Sequence, residues 1–236
     1  MQVKITAFLY LLLRLAAPAD LVEKTTIVKE TVQESESGKK ISHRTKKIKG
    51  DWVREESESQ RDDHTASAGV LYNVVTKQSF KLKDGRWTME NRGVLKEGVE
   101  EIEKRLKKEG VIPKAEDRPQ FTRSTGHMSI NGYECDEYIS ETTIRKTTAW
   151  VAPALSKYLA IHNRSHDPTF AVVSSQLPDY TKLPGIAVRI ISASTVPSPP
   201  GRVPHVVTTT VDLTSITEET LPESDFAVPA TSEPAR

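Results

Sequence analysis

Two hydrophobic periods alternate along this chain, and the first of them belongs to strands. From Leu21 to Val32, the β-branched residues Val22, Thr25, Thr26, Ile27, Val28, Thr31 and Val32 predict an extended segment. Glu34-Ser35-Glu36-Ser37-Gly38 has turn composition, and Ile41–Ile48 reads as the returning partner. Lys49-Gly50-Asp51 makes the next turn, before a short strand at Trp52–Glu55. Ser57–Ser67 holds almost no large apolar residue, which predicts a loop. Strands at Val70–Thr76, Ser79–Lys83 and Arg86–Met89 follow, the last two joined by Asp84-Gly85. Beyond a polar stretch at Pro113–Pro119, strands resume at Phe121–Ile130, Tyr133–Glu141 and Thr143–Ala152. Asn131-Gly132 is the strongest hairpin signal in the chain. Ile186–Ala193 and Val206–Ile216 are the last strands, joined through Pro197, Pro199, Pro200 and Gly201. Hairpin after hairpin implies antiparallel pairing.

The second period is helical. Leu95, Val99, Ile102 and Leu106 fall on one helix face, and charged residues occupy the rest of the surface. Glu100–Lys104 and Glu103–Lys107 are i,i+4 pairs in the favourable orientation, and Gly110 is a stop. The narrow apolar stripe favours a helix laid against a sheet over one that inserts into a membrane. Ala154–His162 and Pro168–Leu177 read as short helices, with Leu155, Tyr158, Leu159 and His162 on one face of the former. The expected fold class is mainly β with helices (α+β).

Met1–Ala19 carries Lys4, a short apolar run from Ile5 to Leu13, and small residues at Ala17 and Ala19. That is the pattern of a secretory signal with cleavage between Ala19 and Asp20. Arg14 interrupts the apolar run and keeps a buried N-terminal helix as the alternative. The run is too short for a membrane span, so contact with a membrane is at most peripheral. The expected organisation is a signal peptide over 1–19, one domain over 20–230 and a disordered tail over 231–236, in a protein exported to the periplasm or outside the cell.

Composition narrows the function classes. Apolar residues make up 36% of 236, so the core is thin relative to the surface, and a doubly buried parallel sheet is disfavoured. Lys+Arg at 33 against Asp+Glu at 32 removes any global electrostatic argument for nucleic acid. A single Cys leaves no internal disulfide framework and no cysteine-rich zinc module.

Each residue with chemical potential has a plainer role. His162 and His166 have H-x-x-x-H spacing, but no Glu adjoins His162, and Asp167-Pro168 breaks the helix nearby. His127 and His205 have no spacing logic. Cys135 sits in a strand pattern, where a small buried residue is usual and nothing stabilises a thiolate. Glu134, Asp136 and Glu137 flank it as exposed strand positions. The basic run Lys39, Lys40, Arg44, Lys46, Lys47 and Lys49 is followed by Asp51, Glu55, Glu56, Glu58, Asp62 and Asp63. This order predicts a solvated hairpin with internal charge compensation. Asn163-Arg164-Ser165 is a glycosylation sequon, relevant only in a eukaryotic secretory pathway. No catalytic residue, metal site or cofactor is expected, because no nucleophile, base and orienting group come together.

Several stretches, in order, resemble the domain of unknown function 4412 family of exported bacterial proteins. They are Ile48-Lys49-Gly50-Asp51-Trp52-Val53-Arg54, the hairpin from Gly126 through Asn131-Gly132-Tyr133-Glu134-Cys135 to Tyr138, Trp150-Val151-Ala152, Leu183-Pro184-Gly185-Ile186, and the closing Leu221–Ala230. Two departures stand out. The family's Pro after Gly185 is Ile186 here, and a charged helix replaces its linking strand near Val94. The resemblance implies a lipoprotein-carrier-like fold, an antiparallel β half-barrel covered on one face by short helices. It implies no catalytic residues. It implies a sheet with an apolar inner face able to hold an acyl chain or an apolar peptide. The expected function is an exported, non-enzymatic binding protein of the cell envelope holding an apolar ligand such as an acyl chain or a lipidated protein. The amphipathic helix interrupts the hairpin series and so must fold back across a sheet face, which makes Leu95, Val99, Ile102 and Leu106 the candidate lid face. The alternative is a structural or protein-interaction domain with no ligand cavity.

Overall fold

The computed structural model describes residues 20–32, 37–61, 64–76, 78–83, 86–90, 119–165, 178–196 and 205–228. The expected helices at Leu95–Leu106 and Pro168–Leu177, the signal segment 1–19 and the tail 231–236 lie outside the described residues.

Eleven described strands form one antiparallel sheet. They are β1 (Leu21–Val32), β2 (Ser37–Lys49), β3 (Trp52–Arg61), β4 (His64–Asn73), β5 (Ser79–Lys83) and β6 (Arg86–Glu90). After them come β7 (Thr122–Ile130), β8 (Tyr133–Glu141), β9 (Arg145–Ala152), β10 (Ile186–Val196) and β11 (His205–Glu218). The spatial order is β6-β5-β4-β3-β2-β1-β11-β10-β9-β8-β7, so the first and last long strands pair at the centre and the described sheet stays open.

Ser57–Ser67 is not the expected loop. β3 and β4 run through it as a paired hairpin, from Ser57 opposite Ala68 to Ser59 opposite Ala66. Small and polar side chains satisfy a strand that emerges from the core with no apolar face to bury. The helix expected over Ala154–His162 is a 3-10 turn at Pro153–Tyr158 that continues into α1 (Leu159–Arg164). Of the three helices expected to cover a sheet face, it is the one within the described residues.

The main core gathers at one end of the sheet. Leu21, Ile48, Val53, Tyr72, Ile130, Cys135, Ala152, Leu155, Ile186, Val188, Leu213 and Ile216 pack there, with Tyr158, Leu159 and Ile161 against them. A second cluster lies on the other face of the early strands: Val22, Leu71 and Phe80, covered by Leu221 and Phe226 of the C-terminal segment. Gly50-Asp51 shows why the Ile48–Arg54 stretch has its composition. Gly50 takes the left-handed conformation (φ +55°) that turns β2 into β3, and Ile48 then faces Val53 in the main core.

The sheet divides at this end. β10 pairs with β11 only from Arg189–Asp212 onward, and Val188 bulges out of the β9 ladder. On β11, Thr214 bulges against β1. The chain leaving β9 enters the helical segment there. Gly185 is required nearby, because a Cβ on it would lie 2.6 Å from the carbonyl oxygen of Ala152.

Candidate functional site

Two features of one sheet face are candidates for function. The first is an ionic cluster beneath α1. Period-2 alternation puts Glu23 on the face of Leu21, and Lys46 on the face of Ile48. The register then sets Lys46 opposite both Glu23 and Glu55. The Lys46 ammonium lies 3.6 Å from Glu23 and 3.8 Å from Glu55, and it donates to the Ser165 hydroxyl at 3.2 Å. His162 Nδ1 meets the other Glu23 oxygen at 2.8 Å. The Ser165 hydroxyl donates to the His162 carbonyl, and Tyr72 donates to the Ser165 carbonyl. Glu23 is 4% exposed and Lys46 8%. Charges so deeply buried persist only when paired and hydrogen-bonded. The basic run is therefore charge-compensated as expected, but at Lys46 it is not solvated. This cluster clamps α1 to β1, β2 and β4.

The second feature lies further along the same face. Ile27 pairs with Val211 and Val211 with Ile190, a half-buried apolar row across β1, β11 and β10. The next row carries Lys40, Lys29, Thr209, Ser192 and Thr147, with the Thr147 and Ser192 hydroxyls 3.2 Å apart. A row able to touch hydrocarbon thus lies beside a row of hydroxyls and cations.

His162 and Lys46 join the cluster, as do Glu55 and Ser165; the other residues considered in the sequence fall elsewhere. Leu95, Val99, Ile102, Leu106, His166 and Ala19 lie outside the described residues. Asp20 accepts from the Leu221 amide at 3.0 Å, tying the start of β1 to the C-terminal segment. His127 bridges Glu134 (3.0 Å) and Asp136 (3.2 Å) on the exposed β7–β8 hairpin, and Arg123 joins Asp136 at 2.8 Å. The His127 hydrogen bond and the Arg123 charge hold the Asp136 carboxyl below its ordinary range. Cys135 is fully buried, and burial pushes its thiol up. The sequon's Asn163 lies in α1, and its Ser165 is buried. Among the described residues, no group of three His, Cys, Asp or Glu is arranged to hold a metal ion. Glu23 and Tyr72 were not singled out in the sequence, and Glu55 and Ser165 entered only as members of the acidic run and the sequon. For Glu23 and Lys46 the available signal was phase, two residues from Leu21 and Ile48.

The profile of the domain of unknown function 4412 matches residues 96–231, and the chain belongs to that family. The match takes in the Asn131-Gly132 hairpin, Leu183–Ile186 and the closing segment, and it leaves Ile48–Arg54 outside. No curated protein matches the sequence. Among solved structures, PNGF-II is similar over 90% of this chain at 10% identity and a TM-score of 0.28; the chain spans 32% of PNGF-II. A Vibrio parahaemolyticus domain named for outer membrane lipoprotein sorting is similar over 88% of this chain and 89% of its own, at 10% identity and a TM-score of 0.25. A DUF1329 family protein from Desulfovibrio piger is similar over 95% and 97%, at 9% identity and a TM-score of 0.22.

Proposed function

We propose that the protein is an exported, non-enzymatic binding protein of the cell envelope that holds an apolar ligand such as an acyl chain or a lipidated protein. The observation that carries this reading is the row Ile27–Val211–Ile190. It continues the face of Leu213 past the packed end of the sheet; Ile27 and Val211 are half buried, and Ile190 closes the row where it packs against the buried cluster of Ala149, Val151 and Leu183. An open sheet leaves such a face available to a ligand, whereas a tightly closed barrel fills its own interior. The N-terminal signal pattern supports export, and the resemblance to carrier-like half-barrels supports the ligand class. Every cationic and carboxylate side chain of the cluster beneath α1 is engaged with another, which supports a structural role there.

Native mass spectrometry of protein purified from a cell envelope, combined with lipid extraction, tests the proposal. Co-purifying acyl lipid or lipidated peptide is the expected result. Protein that is consistently empty and also fails to bind a fluorescent fatty-acid probe overturns it. One observation favours a second reading, a protein-interaction domain: among the described residues, β6 and β7 each leave one edge without a strand partner.

A further inference from the structure

We infer that the ligand is an anionic single-chain amphiphile of the fatty-acid kind, held with its acidic head at Lys29 and Lys40. The inference rests on the apolar-ligand reading and names the ligand class.

Lys29 and Lys40 are direct cross-strand partners on β1 and β2, both exposed. Like charges directly opposite one another in a sheet repel and destabilise the pairing. On the opposite face, the next pair along resolves the same problem with an acid: Lys39 lies 3.1 Å from Glu30. Among the described residues, no such partner is built on the face of Lys29 and Lys40. Through the three rows at Ile27, Lys29 and Thr31, this face carries no Asp or Glu on β2, β1, β11 or β10. The positions are Ser42, Lys40 and Gly38; Ile27, Lys29 and Thr31; Val211, Thr209 and Val207; and Ile190, Ser192 and Ser194.

The two lysines adjoin the apolar row, since Lys29 is two residues from Ile27 on the same face. Thr209, opposite Lys29, and Ser192, opposite Thr209, add hydroxyls to the same row. An acidic head beside Lys29 and Lys40 would relieve their repulsion while its chain lies along Ile27, Val211 and Ile190. A neutral amphiphile would gain only the chain contacts.

The experiment compares cis-parinaric acid with its methyl ester by fluorescence titration of the purified protein. At low salt the acid should bind about five-fold tighter, the scale of two exposed ion pairs, and the preference should shrink as salt is raised. The double variant Lys29→Gln/Lys40→Gln should lose the preference, and Lys40→Gln alone should give an intermediate value. Relief of repulsion should leave the thermal midpoints of these variants no lower than that of the parent. Equal binding of acid and ester, or a preference that survives the double variant, overturns the inference and leaves the apolar-ligand reading intact. If neither probe binds, both fail together.

Discussion

Asn131, in the β7–β8 turn, donates its side-chain amide to the carbonyl of Leu213 on β11 at 2.9 Å, although β9 and β10 lie between β8 and β11. In a flat sheet, β8 and β11 would be about 14 Å apart at ordinary strand spacing. The contact therefore requires the sheet to curl over at its packed end. Leu213 lies just beyond the point where β10 stops pairing with β11, so the asparagine supplies a donor where the ladder has ended. Asn131 (φ +52°) and Gly132 (φ +81°) also form the left-handed pair that a two-residue hairpin requires.

Asn131→Gly keeps the turn conformation and removes the amide. It should destabilise the protein by about 1–2 kcal/mol, the effect of losing a hydrogen bond to a partly buried carbonyl. Urea unfolding followed by circular dichroism checks this, and an unchanged midpoint would show that the contact contributes nothing.

Lys46→Met leaves Glu23 and Glu55 facing each other with one cation fewer. Breaking a buried ionic cluster in this way should cost about 3 kcal/mol. Adding Glu23→Gln should recover part of the loss, because it removes one of the two carboxylates that share the Lys46 charge. Chemical denaturation of the two single variants and the double gives the coupling, and strictly additive losses would contradict the cluster.

The C-terminal segment is fastened by charge. Asp225 accepts from Lys47 at 2.7 Å, and Arg54 donates to the Asp225 carbonyl at 3.0 Å. The Lys47 hydrogen bond holds the Asp225 carboxyl below its ordinary range. A carboxylate depressed in the folded state contributes stability that is complete above its unfolded value, near 4, and is lost as pH falls through the depressed value. The stability difference between the parent and Asp225→Asn should therefore be about 1 kcal/mol at neutral pH and vanish in acid below that range. Tryptophan fluorescence reports it, because Trp52 and Trp87 pack in the cluster this segment covers. A difference independent of pH would contradict the ion pair.

Cys135 should resist iodoacetamide at neutral pH in the folded protein, since burial both shields its thiol and raises it. It should be alkylated promptly once denaturant unfolds the chain. Mass spectrometry of native and denatured samples checks this, and rapid native labelling would place Cys135 at an accessible site.

Local pattern was sufficient wherever neighbours in sequence are neighbours in space. The β-branched run of β1, the Asn131-Gly132 turn and the Leu155–Leu159 face each follow from residues within one or two elements, because strand and helix periodicity act over a few residues. Ser57–Ser67 misled because a strand pair that leaves the core buries no apolar face, and alternation is then silent. Three decisions belong to the tertiary structure alone. Pairing β1 with β11 joins residues nearly two hundred positions apart, and no local period encodes that partner. The burial of Glu23 and Lys46 follows from α1 being laid across them. The opposition of Lys29 to Lys40 depends on the hairpin register, which a one-residue slip would reverse from face to face. Composition and periodicity set which side chains face the same way. Only the closed set of strand partners set which charges meet.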